Sequence, residues 1–457
     1  MSCGPASGRI DWSNVFRFQQ QQVIMKVEDF LKHECNRRQF LENSARNAAG
    51  LAVGVASLGS AASASPSERV RIGVIGLGAQ GRELAQELAA QPDVDVAAVA
   101  DADSRLLGPT VDELARETNG PIRAERDFRR LLDDPSLDAV AIATPDHWHA
   151  TMAVMACRAG KDVYVEAPLS LHLNEGRQLA DVAAETDRIV QTGLQQRSGA
   201  HFRSAIELVQ GGGIGRVRIA KAWVVHRRKP LPAADDSTAP RGVDYNLWLG
   251  PAAARSFDSN HFHRNWMWYW DHGGGELGLW GVHLLDVARW GLGVDWPRHV
   301  SATGGKLYFN DDRETPDTLN VQFDFDDATI QWEHRSWSRR GIEGRSAAVA
   351  FYGDDGTLIV DRGGWKVYER RESLTASSSE LLGPHLRNFV DCIRSRRTPS
   401  ADVETGLIAA GLCQLGNAAY RQGQPVDFDV DSMAARDDAA NTLLTGTQRT
   451  PWGDALA

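Results

Sequence analysis

The chain has little cysteine and no long apolar run. Of its 457 residues five are Cys: Cys3 and Cys35 near the N-terminus, and Cys157, Cys392 and Cys413 further along. No CxxC spacing occurs, and three cysteines beyond the N-terminal stretch exclude a full disulfide framework. Apolar, helix-like surroundings such as Met152 to Cys157 predict buried free thiols. The longest weakly apolar stretch, Ala48 to Ala62, is interrupted by Gly50, Gly54 and Gly59. It is too short and too polar to span a bilayer, which excludes stable membrane insertion. Positive charge is also in short supply, with 50 Lys and Arg against 60 Asp and Glu. The resulting net charge of -10 argues against nucleic acid and anionic membrane as partners. What is present, 42% hydrophobic and 24% charged residues, is the composition of an ordinary globular protein. The length suffices for a leader and two domains.

The N-terminal stretch reads Asn36-Arg37-Arg38-Gln39-Phe40-Leu41, then the weakly apolar run, then Ala62-Ser63-Ala64. These are the charged, apolar and cleavage-site regions of a twin-arginine leader, in that order. That route is an address for proteins exported already folded, so a nucleotide captured in the cytoplasm is carried out with the protein. Residues 1–66 are therefore expected to be an extension and signal peptide, with Met1 or Met25 as the start and a periplasmic or extracytoplasmic destination.

After Pro66 short apolar runs alternate with amphipathic stretches, the pattern of a parallel sheet with crossover helices. Strands are predicted at Val70 to Ile75, Val94 to Ala100, Leu137 to Ala143 and Asp162 to Val165, with helices from Arg82 and from Thr151. Beyond Thr192 the patterning turns to period two, as in Val217 to Val225, Thr318 to Phe325 and Thr329 to Glu333, and ends in helices near Leu386 and Val403. The expected fold class is α/β. A doubly wound Rossmann sheet (67–192) is followed by a second α/β domain with an open, largely antiparallel sheet (193–384). Residues 385–457 pack back across both.

Gly76-Leu77-Gly78-Ala79-Gln80-Gly81 follows the first strand directly and opens a helix, and Asp101 ends the next strand. In this βαβ context the loop predicts a dinucleotide site. Gly76 permits the tight turn, Gly78 lets backbone amides approach a pyrophosphate, and Gly81 lets helix and strand pack closely. Asp101 would accept the ribose hydroxyls, which favours NAD over NADP unless Arg105 screens a 2′-phosphate.

Thr144-Pro145-Asp146-His147-Trp148-His149-Ala150 and Gly160-Lys161-Asp162-Val163-Tyr164-Val165-Glu166-Ala167-Pro168 resemble the glucose-fructose oxidoreductase / inositol dehydrogenase / MocA (Gfo/Idh/MocA) family. Trp248-Leu249-Gly250-Pro251, Trp270 to Gly275, Trp280-Gly281-Val282-His283 and His385 to Phe389 extend the resemblance to the C-terminal part. It implies a bound NAD(P), hydride exchange at a hydroxyl of a sugar or cyclitol, and a homodimer or homotetramer. By position, Thr144, Pro145 and His149 resemble the family's dinucleotide-lining segment, and Glu166 and Pro168 its Glu-Lys-Pro motif beside the nicotinamide. The chain has Ala167 where that motif has its catalytic Lys, and Leu279 where the family has an Asp four residues before its catalytic His.

An alcohol losing hydride must also lose a proton, which neither Ala nor Leu accepts. His283, matching the family's His, is the expected base, with Glu166 beside it. Glu166, His226, Tyr269, His272 and Glu276 are candidate helpers, and Asp286 falls one helical turn past His283. The aromatic stretch Trp266 to Trp270 offers either a carbohydrate platform or a brace at the domain seam. The expected substrate contacts are Trp268, Tyr269, His272 and His283. His261 and His263 have metal-pair spacing but no third ligand, so no metal is expected. Three functions remain open: an exported NAD-bound sugar, cyclitol or glycoside oxidoreductase; a redox-neutral NAD-dependent glycosidase; and a carbohydrate- or nucleotide-binding protein that has lost catalysis.

Overall fold

The computed structural model describes residues 69–117, 120–233, 238–369, 372–377 and 381–455. The expected leader therefore lies outside the described residues. The described residues form one compact unit.

The first sheet is wholly parallel, in the order β3-β2-β1-β4-β5-β6. Its strands are β1 (Val70–Ile75), β2 (Val94–Ala100), β3 (Arg123–Glu125), β4 (Ala139–Ile142), β5 (Asp162–Val165) and β6 (Val190–Thr192). Crossover helices include α1 (Ala79–Ala89), α2 (Ser104–Leu114), α3 (Asp146–Arg158) and α4 (Leu173–Thr186). Burial on both faces explains the nearly unbroken apolar strands: every residue of β4 and β5 is buried. The order reverses between β1 and β4, where α/β sheets open a crevice at the strands' carboxyl ends.

Two helices begin earlier than the sequence suggests. α1 starts at Ala79 rather than Arg82, directly on Gly78. α3 starts at Asp146, with Pro145 preceding it, rather than at Thr151. Its first turn reads as polar but is interior: the Trp148 indole donates to the Trp248 carbonyl at 2.9 Å and packs edge-on against Phe128 and Trp452.

α5 (Ala200–Gln210) leads to a ten-stranded sheet, in the order β14-β13-β12-β11-β7-β10-β9-β8-β15-β16. Its long strands are β7 (Val217–Val225), β8 (His299–Gly305), β9 (Thr318–Asp324), β10 (Thr329–Arg335), β11 (Ala347–Gly353) and β12 (Gly356–Asp361). Short strands β13 (Gly364–Val367), β14 (Ser373–Thr375), β15 (Val426–Asp429) and β16 (Ala434–Ala435) complete it. All pairings are antiparallel except β7 with β10, so the sheet is mixed. Alternate burial along β9 and β10 gives it one covered face. α6 (Val282–Leu292) packs on β7 and β11. α7 (Leu382–Ser395) adds Leu386, Phe389 and Val390 to the core beneath β1 and β2. α8 (Val403–Gln422) touches α4 and β6 of the first sheet and β8 of the second.

Candidate functional site

The glycine loop has the backbone its sequence requires. Gly76 adopts φ +88°, and a Cβ there would meet the Ala143 carbonyl oxygen at 2.7 Å. A Cβ at Gly81 would lie 1.7 Å from the Gly76 carbonyl oxygen, so only glycine lets α1 approach β1 this closely. Gly78 differs: nothing lies within 4 Å of its Cβ position. The first turn of α1 has no side-chain cap and no acidic residue, so its amides and the positive end of the helix dipole face open space beside Gly78, Ala79 and Gln80.

Asp101 is fastened to this loop. Its Oδ2 accepts from the Leu77 amide at 2.7 Å and its Oδ1 from the Asp103 amide at 2.8 Å. Burial pushes its carboxyl up, and the two amides act in the opposite direction. A lone pair on each oxygen stays available for a ribose hydroxyl. Arg105 does not face outward as a free cation. Its guanidinium grips Asp103 through Nε at 2.8 Å and Nη2 at 2.6 Å.

Thr144 and Pro145 form the turn between β4 and α3. Thr144 Oγ1 is buried with no hydrogen-bond partner in the protein. His149 is fully interior and ties two loops together, with Nδ1 2.7 Å from the Pro168 carbonyl and Nε2 2.8 Å from the Thr144 carbonyl. The Ala167–Pro168 peptide is cis. Glu166 Oε1 accepts from Gln80 Nε2 at 3.2 Å, from the Tyr164 hydroxyl at 3.3 Å and from Gln195 Nε2 at 3.3 Å. Burial pushes this carboxyl up to about 7. The Gln80 bond joins the glycine loop directly to the Glu166 segment.

His283 enters from the second sheet's side, at the start of α6 and immediately after a π-helical turn, Leu277–Gly281. Such turns recur at functional sites. Its Nδ1 is buried without a partner, and burial followed by the charge of Arg362 pulls the ring down to about 3. Asp286 does not orient it: that carboxylate is 1% exposed and is taken by Arg197 and Arg289. Leu279 and Trp280 are half-buried. The Trp280 ring has the Arg362 guanidinium 4.9 Å above it and the His226 ring edge-on at 4.9 Å. His226 Nδ1 is bonded to Glu276 Oε1 at 2.7 Å, and Arg228 holds both Glu276 oxygens at 3.0 and 3.1 Å. Arg362 was not singled out in the sequence. Its one signal is its place before Gly363-Gly364, in the turn joining β12 and β13.

The expected substrate contacts Trp268, Tyr269 and His272 are all buried. Trp268 is 6% exposed, with Arg228 and Arg313 each 5.5 Å from its ring. Tyr269 is 2% exposed and stacks on His261 at 3.4 Å. His272 has no exposed surface and lies against His147 and Trp248. The Tyr269 hydroxyl and both ring nitrogens of His272 are buried without a hydrogen-bond partner. His261 and His263 diverge: the first stacks on Tyr269, and the second reaches Asp103 at 2.8 Å. Among the described residues no cluster of three metal-ligating side chains occurs.

Residues 70–194 match the family described as "Oxidoreductase family, NAD-binding Rossmann fold". Residues 223–328 and 371–454 match "Oxidoreductase family, C-terminal alpha/beta domain". Over 386 residues the chain is 25% identical to a scyllo-inositol 2-dehydrogenase (NAD(+)) of Bacillus subtilis, covering 79% of this chain and 97% of that protein. It is 27% identical over 215 residues to a glycosyl hydrolase family 109 protein of Shewanella, covering 42% and 47% of the two chains. The fold is that of the WlbA dehydrogenase of Bordetella pertussis, solved with NADH and UDP-GlcNAcA, with a TM-score of 0.61 at 18% identity over 79% of this chain and all of that one.

Proposed function

The chain belongs to the Gfo/Idh/MocA oxidoreductase family, and on that premise we propose that it is an exported, NAD-retaining oxidoreductase acting on a hydroxyl of a sugar, cyclitol or glycoside. The residues present fit the dinucleotide. Uncapped α1 amides and the open space at Gly78 suit a diphosphate, and the unpartnered Thr144 hydroxyl supplies a buried polar contact. With Arg105 committed to Asp103, a 2′-phosphate would find the Asp101 carboxylate and no free cation from this turn, which supports NAD over NADP. Bound NAD would supply the hydride acceptor.

The single observation that carries the reading is that Glu166, joined to the glycine loop through Gln80, and His283, from the other sheet's side, both lie within the field of Arg362. A cofactor loop, a carboxyl and an imidazole are thereby brought within reach of one guanidinium's charge. His283 is neutral at pH 7 and free to take the hydroxyl proton. Glu166, at about 7, is divided between acid and carboxylate there. Export rests on the Arg37-Arg38 leader pattern, and retention of NAD follows from it, since folding precedes that route. The exposed face of the second sheet, carrying Ile219 and Tyr352, supports a homodimer or homotetramer.

The test is the absorbance spectrum and mass of nucleotide released from the purified protein, before and after addition of a sugar, cyclitol and glycoside panel. Bound NAD(H) that changes redox state with one alcohol is expected; a protein that neither holds nor takes up nucleotide would sink the reading. Ala167 and Leu279, where the family has Lys and Asp, favour a second reading, a redox-neutral glycoside hydrolase. It predicts aglycone release that requires bound NAD and no external acceptor.

A further inference from the structure

Arg362 is half-buried, its Nε has no hydrogen-bond partner, and among the described residues no carboxylate lies within ion-pair distance of it. The carboxylate next to it in sequence is taken: Asp361 pairs with Arg345 and accepts from the Gly363 amide at 2.7 Å. Other interior arginines of this acidic chain have partners. Arg197 has Asp286, and Arg313 has Asp311. The acids whose charge reaches Arg362 are Glu166 and Glu83. Glu166 sits inside its own cage of Tyr164, Gln80 and Gln195, and Glu83 is exposed on α1. A guanidinium withdrawn from water without a counter-charge is unfavourable. This one is nevertheless held in place over Trp280, three residues before the base on the same run of helix.

We propose that Arg362 binds a carboxylate of the substrate, so that the site takes a sugar acid or other carboxylated polyol rather than a neutral sugar. This deepens the proposed oxidoreductase reading and rests on it. Arg362 presents the planar fork of donors that suits a carboxylate, and the half-buried Trp280 ring beneath it holds that fork in place. The anion also changes the base. The charge of Arg362 is the largest charge effect holding His283 down, so a carboxylate that offsets it makes the imidazole a better proton acceptor. An acidic substrate would thereby complete the group that deprotonates it.

The experiment uses the full chain loaded with NAD, and measures binding by calorimetry and by Trp fluorescence. The probes are D-glucuronate, D-galacturonate and D-gluconate, with D-glucose, D-galactose and myo-inositol as uncharged counterparts. At least one acid is expected to bind tenfold or more tightly than every neutral counterpart. R362Q is expected to lose that preference, R362K to keep part of it, and NAD retention to be the same in all three proteins. The proposal is overturned by neutral polyols binding as well as the acids, by a preference that survives in R362Q, or by loss of NAD from R362Q with sugar preference unchanged. Loss of NAD from R362Q would assign the guanidinium to the dinucleotide's diphosphate. Absence of binding by every probe to a protein that holds NAD overturns the acid-substrate proposal alone, whereas a protein that holds no nucleotide overturns the underlying reading.

Discussion

Asp286 closes on Arg197 in a two-point contact, with Oδ2 2.7 Å from Nε and Oδ1 2.8 Å from Nη2. Arg289 Nε adds a third contact at 3.2 Å. The pair joins α6 to the segment after β6, beneath the turn that carries His283. Asp286→Ala would leave the largely buried Arg197 guanidinium without its paired carboxylate, and Arg289 with Asp295 alone. The expected loss is about 3–5 kcal/mol of folding stability, read from urea or thermal unfolding. An unchanged midpoint would show that the arginines find water or another acceptor.

Gly78 and Gly81 are expected to separate binding from folding. Gly81→Ala drives a methyl into the Gly76 carbonyl and should both destabilise the protein and abolish nucleotide retention. Gly78→Ala meets nothing in the protein, and weakens the helix start by about 1 kcal/mol or less. Its methyl instead fills the space a diphosphate would use, so NAD affinity should fall more than tenfold while the unfolding curve barely moves. Equilibrium dialysis with NAD, run beside calorimetry on both variants, checks the contrast.

Glu166 gives a pH signature. Its folded carboxyl titrates near 7 against 4.5 for the ordinary group, so the folded chain holds that proton more tightly than the unfolded one. Stability from this group is fully present below the unfolded value, and is lost as pH rises through the folded one. The loss across that window is about 3 kcal/mol. Glu166→Gln should remove the slope, and melt higher than the parent at about pH 8 while differing little at about pH 4. Parallel melting-versus-pH curves for the two proteins would contradict the assignment.

Asp101 accepts two backbone amides, one on each oxygen. Asp101→Asn places an NH2 against one of those N–H donors, at an expected loss of about 1–3 kcal/mol, together with weaker NAD binding as the loop loosens. Arg105 is predicted to give NADP no foothold, so the parent should bind NAD at least tenfold better than NADP in competition.

The local parts of this architecture are legible in the sequence, because each is written in consecutive residues. β1, the glycine loop and Asp101 follow one another in a single βαβ unit, and period-two runs mark β7, β9 and β10. Contacts made across the chain are less visible. The run holding Trp268 and Tyr269 reads equally as platform or brace, and carries no record that Arg228, Arg313 and His261 pack against those rings. The first turn of α3 looks like loop because the Trp248 carbonyl that receives it is a hundred positions away. Asp286 sits at the right spacing for His283, but spacing carries no record of Arg197. Arg362 is hidden for the same reason, since nothing near it in sequence resembles a site.

α8 touches α4 and β6 on one side and β8 on the other, and it is synthesised after β1 to β14. The nascent chain therefore completes its first parallel sheet long before the helix that underpins both sheets leaves the ribosome. Final consolidation waits on a late segment, and a message truncated before Val403 would yield two unsupported sheets exposed to chaperones and proteases rather than a smaller working enzyme.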